Sequence, residues 1–139
     1  MIAPRLQNRR EAAFLQVEVN ASRGVAAGGV VTVHVRGRNT HPGRRRVYSA
    51  WVDVSESLGR AGTIVDATKE HARWVPIARS WRVPFEGEIP PDESRDMSFR
   101  IVGAVPGRYE GTVDVVLSGT SWVRSEVAFD VSEALPARP

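Results

Sequence analysis

The stretch GRYEGTVDVVLSGTSWVRSEVAFDV, residues 107–131, decides the fold class of this 139-residue chain. Apolar and polar side chains alternate along both of its halves, which lie on either side of Gly119. A period of two residues is typical of a β-strand with one buried face, whereas a helix repeats every 3.6 residues. The stretch therefore predicts two half-buried strands joined by a short turn. The inward side chains are Tyr109, Val113, Val115, Leu117, Val123, Val127, Phe129 and Val131.

The same alternation recurs upstream, and turn residues separate the alternating segments. These turns contain Gly28-Gly29, Pro42-Gly43, Pro90-Pro91-Asp92 and Pro106-Gly107, which favour tight reversals of the chain. We predict strands at 14–19, 30–36, 47–54, 95–102, 108–117 and 122–131. A seventh strand, at 81–85, is predicted at a sheet edge, because Pro84 cannot donate a ladder hydrogen bond. Strands of this spacing predict a single all-β domain, an antiparallel Greek-key sandwich of about seven strands.

The predicted sandwich spans residues 14–131, between a short N-terminal arm at 1–13 and a C-terminal tail at 132–139. Residues 55–80 form an insert between two of its strands. The insert contains DATKEHARW, in which Asp66 could cap a single short helix.

Several turn and strand residues follow an order that resembles bacterial and phage immunoglobulin-like sandwich domains. Those domains often read V-x-V-x-x-x-N-T, followed by P-x-E-S and a strand that contains F. The matching residues are Val33, Val35, Asn39, Thr40, Pro91, Glu93, Ser94 and Phe99. The resemblance covers residues 14–131 and implies an immunoglobulin-like fold. It implies no functional residues, because its motifs mark turns and a fold does not determine a function.

Composition narrows the classes of function. The sequence has no cysteine, which excludes disulfides, thiolate catalysis and cysteine-ligated zinc. The N-terminus lacks the apolar segment of a secretory signal, and no apolar run approaches the roughly 20 residues that cross a bilayer. We therefore expect a cytoplasmic or particle-associated protein without membrane contact.

The sequence offers no set of residues for catalysis or for a cofactor. It lacks the nucleophile elbow, the phosphate-binding glycine loop and the paired-histidine zinc motif. His34, His41 and His71 are scattered, as solvated surface histidines are. An acidic cluster lacks the glycine-containing ligand loop typical of calcium sites, which favours a solvated loop. Its members are Glu86, Glu88, Asp92, Glu93 and Asp96. We expect no enzymatic activity, no cofactor and no metal.

Two of the four tryptophans are out of phase with the apolar side chains of their strands. In VYSAWVDV, residues 47–54, the inward set is Tyr48, Ala50, Val52 and Val54. Trp51 and Val47 then face outward, and Trp122 faces outward on the last strand. Outward tryptophans are typical of protein interfaces, so these three residues are the candidate interface. A core position, reached through a β-bulge, and a sugar-stacking platform are the alternatives.

Arginines gather near the turn that precedes this strand. Arg36 and Arg38 end one strand, and Arg44, Arg45 and Arg46 follow the turn. Guanidinium groups that converge beside aromatic residues would suit an anionic or nucleic-acid partner. Strand alternation would instead separate Arg45 from its two neighbours. The net charge is only +3, so a solvated loop explains the cluster equally well.

Together these features predict a non-catalytic structural or accessory module. We expect it to dock on a larger protein assembly or to self-associate, as a decoration protein of a virus or phage particle does. The alternative is an anion- or nucleic-acid-binding module that uses the arginine-rich strand end. An enzyme is the least supported class.

Overall fold

A computed structural model of the chain describes residues 10–11, 14–42, 48–117 and 121–133. This part forms 12 strands and one short helix, α1 (Glu56–Gly59). The strands are β1 (Arg10–Glu11), β2 (Leu15–Ala21), β3 (Val25–Ala26), β4 (Val30–Asn39), β5 (Tyr48–Ser55), β6 (Thr63–Val65), β7 (Arg73–Val75), β8 (Ser80–Ile89), β9 (Ser94–Asp96), β10 (Phe99–Val102), β11 (Gly107–Leu117) and β12 (Ser121–Ser132). Within the described residues, no helix has the length and hydropathy needed to cross a membrane.

The strands form two sheets packed face to face. The larger sheet has the order β1-β12-β11-β5-β8-β7, with β3 also paired to β12. The smaller sheet has the order β2-β4-β10-β6, with β9 paired to β4. Pairing is antiparallel except where β1 and β3 run parallel to β12. Because the chain repeatedly changes sheets between consecutive core strands, the topology is the Greek key of immunoglobulin-like sandwiches. The predicted fold class is confirmed.

The core lies between the inner faces of the two sheets, where the alternating apolar side chains meet. Valines supply most of the fully buried positions, as half-buried pleated strands favour. Burial of one such side chain contributes about 1.5–3 kcal/mol. The largest fully buried side chains are Phe99, Leu58, Ile89, Met97, Ile101, Val31, Val33, Val35, Val52, Val54, Val83 and Val113.

Tyr109 ties the start of β11 to the chain before it. Its hydroxyl donates a hydrogen bond to the Val105 carbonyl at 2.8 Å, and its ring centroid lies 5.5 Å from that of Phe129. A tyrosine near the start of the penultimate core strand that bonds back to an upstream carbonyl is the tyrosine corner of immunoglobulin-like domains. This contact anchors the Greek-key crossing.

Asn39 joins the end of β4 to two other parts of the chain. The side chain is fully buried; its Nδ2 donates to the Ile89 carbonyl at 2.8 Å and its Oδ1 accepts from the His41 backbone N–H at 2.9 Å. Its backbone pairs with Asp92 and Glu93. The two segments that carry the immunoglobulin-like resemblance therefore contact each other.

The insert at 55–80 does not have its helix at the predicted position. Asp66 does not begin a helix, because its Oδ1 accepts hydrogen bonds from the backbone N–H groups of Thr68 and Glu70 at 2.8 and 2.9 Å. These bonds close a turn instead. The helix α1 lies earlier, directly after β5, and the insert adds β6 to the smaller sheet and β7 to the larger one.

Strand bounds also differ from the predicted ones. The predicted strand at 95–102 is two strands, β9 and β10, and β4 continues to Asn39. The predicted edge strand at 81–85 is the ten-residue strand β8, which lies between β5 and β7. Pro84 is tolerated there because β7 pairs only with Ser80, Trp81 and Arg82.

Several predicted residues lie outside the described part of the chain. They include Arg44, Arg45, Arg46 and Val47. Of the predicted arm, only Arg10–Glu11, the strand β1, is described. Of the predicted tail, only residues 132–133 are described. The Tyr48 and Glu86 side chains also fall outside the described positions.

Candidate protein-interaction surface

The outer face of the larger sheet carries Trp51 and Trp122 on either side of Val116. The strand register sets Val116 of β11 opposite Trp51 of β5 and opposite Trp122 of β12. Val116 points away from the core, yet it is only 1% exposed. Both tryptophans are partly exposed. We call these three residues the tryptophan strip.

Only carbon atoms of the two indoles reach solvent. The Nε1 atoms of Trp51 and Trp122 are both buried and have no hydrogen-bond partner. Because Nε1 is the only polar atom of an indole, the exposed part of each side chain is apolar. Since Val116 is covered, the part of the strip that reaches solvent consists of carbon atoms of the two indoles, on a sheet face whose neighbouring side chains are polar.

A row of charged side chains crosses the same face next to the tryptophan strip. Arg82 binds Asp53 through two hydrogen bonds, from Nε to Oδ1 at 3.0 Å and from Nη2 to Oδ2 at 3.2 Å. Arg124 binds Asp114 in the same way, at 2.9 and 3.0 Å. Such two-point pairs fix the guanidinium plane as well as its position. The hydrogen bonds to Asp114 raise the pKa of Arg124 above its usual value.

Each of these arginines also contacts a tryptophan of the strip. The Cζ atom of Arg82 lies 4.8 Å from the ring centroid of Trp51, and that of Arg124 lies 5.2 Å from the ring centroid of Trp122. Both distances are within the range of a cation–π interaction. The strip is therefore supported at both ends by an aspartate that holds an arginine against an indole.

The predicted anion site is described only in part. Arg36 and Arg38 lie on the outer face of the smaller sheet, on the exposed side of β4. Arg38 forms an ion pair with Asp92 at 3.0 Å. Arg36 lies opposite Glu18 on one neighbouring strand and opposite Asp96 on the other. Both described arginines therefore face carboxylates.

Three of the five residues in the predicted acidic cluster are engaged with separate partners. Asp92 pairs with Arg38, and Glu93 pairs with Arg95 at 3.4 Å. Asp96 accepts hydrogen bonds from the backbone N–H and hydroxyl of Ser98. Across the described positions, no group of three or more histidine or carboxylate side chains could hold a metal ion.

The sequence predicts that both tryptophans face outward, but the residues that support them were not predicted. Asp53 lies two positions after Trp51, and Arg124 lies two positions after Trp122. Since residues i and i+2 of a strand share a face, this spacing was a usable signal. No such signal marks Val116 or Arg82, because each lies next to a tryptophan only as a result of the strand order.

Comparison with known proteins identifies the fold and no family. No protein-family model matches the sequence, and no curated protein matches it. Several solved structures, including the following three, are similar to the chain over most of its length. The cupredoxin domain of amoB from Nitrosocaldus yellowstonii has a TM-score of 0.55 at 10% identity, covering 93% of this chain and 94% of that one.

The other two structures are comparable in similarity. A conjugative transposon lipoprotein from Bacteroides eggerthii has a TM-score of 0.53 at 12% identity and covers 85% of this chain and 98% of its own. The ASH/PapD-like domain of human CEP192 has a TM-score of 0.51 at 13% identity, with coverages of 97% and 95%. All three support the immunoglobulin-like sandwich, and similarity at this level of identity shows the fold alone.

Proposed function

We propose that the protein is a non-catalytic binding module that docks on a larger protein assembly, or on a second copy of itself, through the tryptophan strip. The observation that carries this proposal is the apolar strip of Trp51, Val116 and Trp122, which lies on an outer sheet face and is held at both ends by an arginine–aspartate pair. A decoration protein on a virus or phage particle is the specific form of this role that we propose.

The composition of the surface supports binding to protein. Tryptophan and arginine are the residues most enriched among those that dominate binding energy at protein interfaces. The supporting pairs also reduce the entropic cost of association, because side chains already fixed in the free protein lose little freedom when they are bound. Each indole would bury its exposed carbon surface on contact.

The test is association of the full chain before and after loss of the strip. Light scattering after size exclusion measures self-association, and affinity capture from the source cells followed by quantitative mass spectrometry measures partners. Trp51→Ala and Trp122→Ala should each reduce the bound fraction, and the double variant should abolish it. Ile77→Ala is the matched control, because Ile77 is an apolar side chain 94% exposed in a turn outside the strip.

Thermal unfolding of each variant separates lost binding from lost folding. A folded double variant that retains the assembly of the wild-type protein would contradict the proposal. So would a wild-type protein that remains monomeric and captures no partner.

A further inference from the structure

An open groove with a volume of about 670 Å³ lies beside the tryptophan strip. Trp51 belongs to both, so the groove is a lateral extension of the strip. Its lining also includes Arg73, Arg82, Pro84 and Glu70. The groove lies at the edge of the larger sheet, where β7 is the last strand in the order.

A large β-bulge and a short neighbouring strand together produce the groove. Ala50 pairs with Gly87 and Val52 pairs with Val83, so residues 84–86 of β8 lie opposite Trp51 alone. On its other side, β8 pairs with β7 only at Ser80–Arg82. Among the described strands, none covers that side of β8 beyond Arg82. Bulges are frequent beside binding sites.

Two arginines line the groove, and they differ in whether an ion pair balances their charge. Arg73 and Arg82 are direct partners across β7 and β8, and like charges in that position repel. Arg82 is neutralised by Asp53. Arg73 is exposed and forms no ion pair with any described residue, including Glu70 at the same groove. An anion beside Arg73 would relieve the repulsion.

We propose that the groove binds an extended acidic segment of the partner protein. A carboxylate of the segment binds the guanidinium of Arg73, whose planar fork matches a carboxylate. An apolar side chain of the segment packs on the exposed carbon surface of Trp51. This inference rests on the proposed function and specifies the chemistry of the partner on the same surface.

A protein segment fits the groove better than a nucleic acid does. Affinity for a phosphate backbone comes from several cations that each neutralise a phosphate. In this groove Arg73 is the single cation without a counter-charge within the described structure, which is too few to neutralise a run of phosphates. A peptide needs to place only one carboxylate at this position.

The experiment measures fluorescence anisotropy of labelled probes with the full chain. The probes are an extended peptide of alternating Glu and Val, matched peptides with Gln or Lys in place of Glu, and an oligothymidylate. We expect the Glu peptide to bind about tenfold more tightly than the Gln peptide at low salt, because a charged acceptor strengthens the hydrogen bond from the Arg73 guanidinium. This preference should weaken at physiological salt.

Arg73→Gln should reduce binding of the Glu peptide to the level of the Gln peptide. Arg100→Gln is the matched control, because Arg100 is also exposed and has no ion pair within the described part of the chain. Trp51→Ala should weaken both peptides equally. Absence of peptide binding, equal affinity for the Glu and Gln peptides, no effect of Arg73→Gln, or tighter binding of oligothymidylate would each overturn the inference.

The inference and the proposed function can fail separately. If Trp51→Ala and Trp122→Ala release the partner while Arg73→Gln retains it in full, the tryptophan strip is the docking surface and the groove is not an acidic-segment site. If the strip variants retain the partner, the proposed function fails regardless of the peptide result.

Discussion

Asp53 and Asp114 lie directly opposite each other on the neighbouring strands β5 and β11. They are only 4% and 8% exposed, and two carboxylates in this position repel each other. Each is bound on its far side by an arginine, Arg82 on β8 and Arg124 on β12. These four charged side chains form a row across four adjacent strands of the larger sheet. The two arginine–aspartate pairs at its ends attract, and the two aspartates in the middle repel each other.

Loss of Arg82 should destabilise the sheet more than loss of a surface arginine does. We expect Arg82→Ala to lower the free energy of unfolding by about 2 kcal/mol, because it leaves the buried Asp53 charge beside Asp114 without a partner. Arg38→Ala, which breaks an exposed ion pair, should cost less than about 1 kcal/mol. Urea unfolding of both variants checks this. Adding Asp53→Asn to Arg82→Ala should recover part of the loss; equal stabilities for Arg82→Ala and Arg38→Ala would contradict the prediction.

Removal of the Asn39 side chain should cost about 2 kcal/mol of unfolding free energy. Asn39→Ala eliminates the hydrogen bonds to the Ile89 carbonyl and from the His41 backbone N–H, and it leaves buried polar groups unpaired. The control is Asn20→Ala on the exposed side of β2, which should change stability by less than about 0.5 kcal/mol. Denaturant midpoints measured at constant m-value give the comparison. An Asn39→Ala midpoint equal to that of the control would show that the contact is not a structural one.

Two glycines should respond differently to the same substitution. A Cβ atom at Gly59 would overlap the indole nitrogen of Trp81, whose ring packs on Trp74 with centroids 5.2 Å apart. A Cβ atom at Gly37 would meet the Cε atom of Met97 at 2.7 Å, and methionine can adjust its rotamer. We expect Gly59→Ala to destabilise by about 1–2 kcal/mol, after the helix preference of alanine is allowed for. Gly37→Ala should cost less, and the reverse order in thermal unfolding would refute this account.

Asp96 should contribute stability that depends on pH. The hydrogen bond from the Ser98 hydroxyl lowers the pKa of Asp96; partial burial opposes this, and the Ser98 backbone N–H and the charges of His34 and Arg36 add to it. A lowered folded pKa means that the contribution is present above the unfolded pKa, about 4, and is lost as the pH falls through the folded pKa. The stability advantage of the wild-type protein over Asp96→Asn should therefore be largest at neutral pH and shrink in acid. A difference that does not change with pH would argue against this role.

Alternation in the sequence was enough to predict the sandwich and the outer face on which Trp51 and Trp122 lie. Ala50 and Val52 are buried, and Trp51, which lies between them in sequence, points to the outer face. The residues around Trp51 could not be predicted in the same way. Arg82 is far from Trp51 in sequence, and it reaches the ring only because β8 lies next to β5.

The helix predicted at Asp66 is wrong for a local reason. The sequence after Asp66 is compatible with a helix start, but the same side chain can close a turn on Thr68 and Glu70, and nothing in the local pattern distinguishes the two outcomes. The choice is made by packing, since the chain must leave β6 in one sheet and reach β7 in the other. Such crossings are set by tertiary structure.

The bulge opposite Trp51 has an excess of two residues. Residues 84–86 lie where a regular ladder would have a single residue, and both Val83 and Ile89 on either side of them point into the core. Because side chains alternate with a period of two, deletion of any two of these three residues would leave every later side chain of β8 on its present face. Such a shortened chain should keep the core face of β8 while it loses the bulge, so its binding would show whether the groove depends on these extra residues.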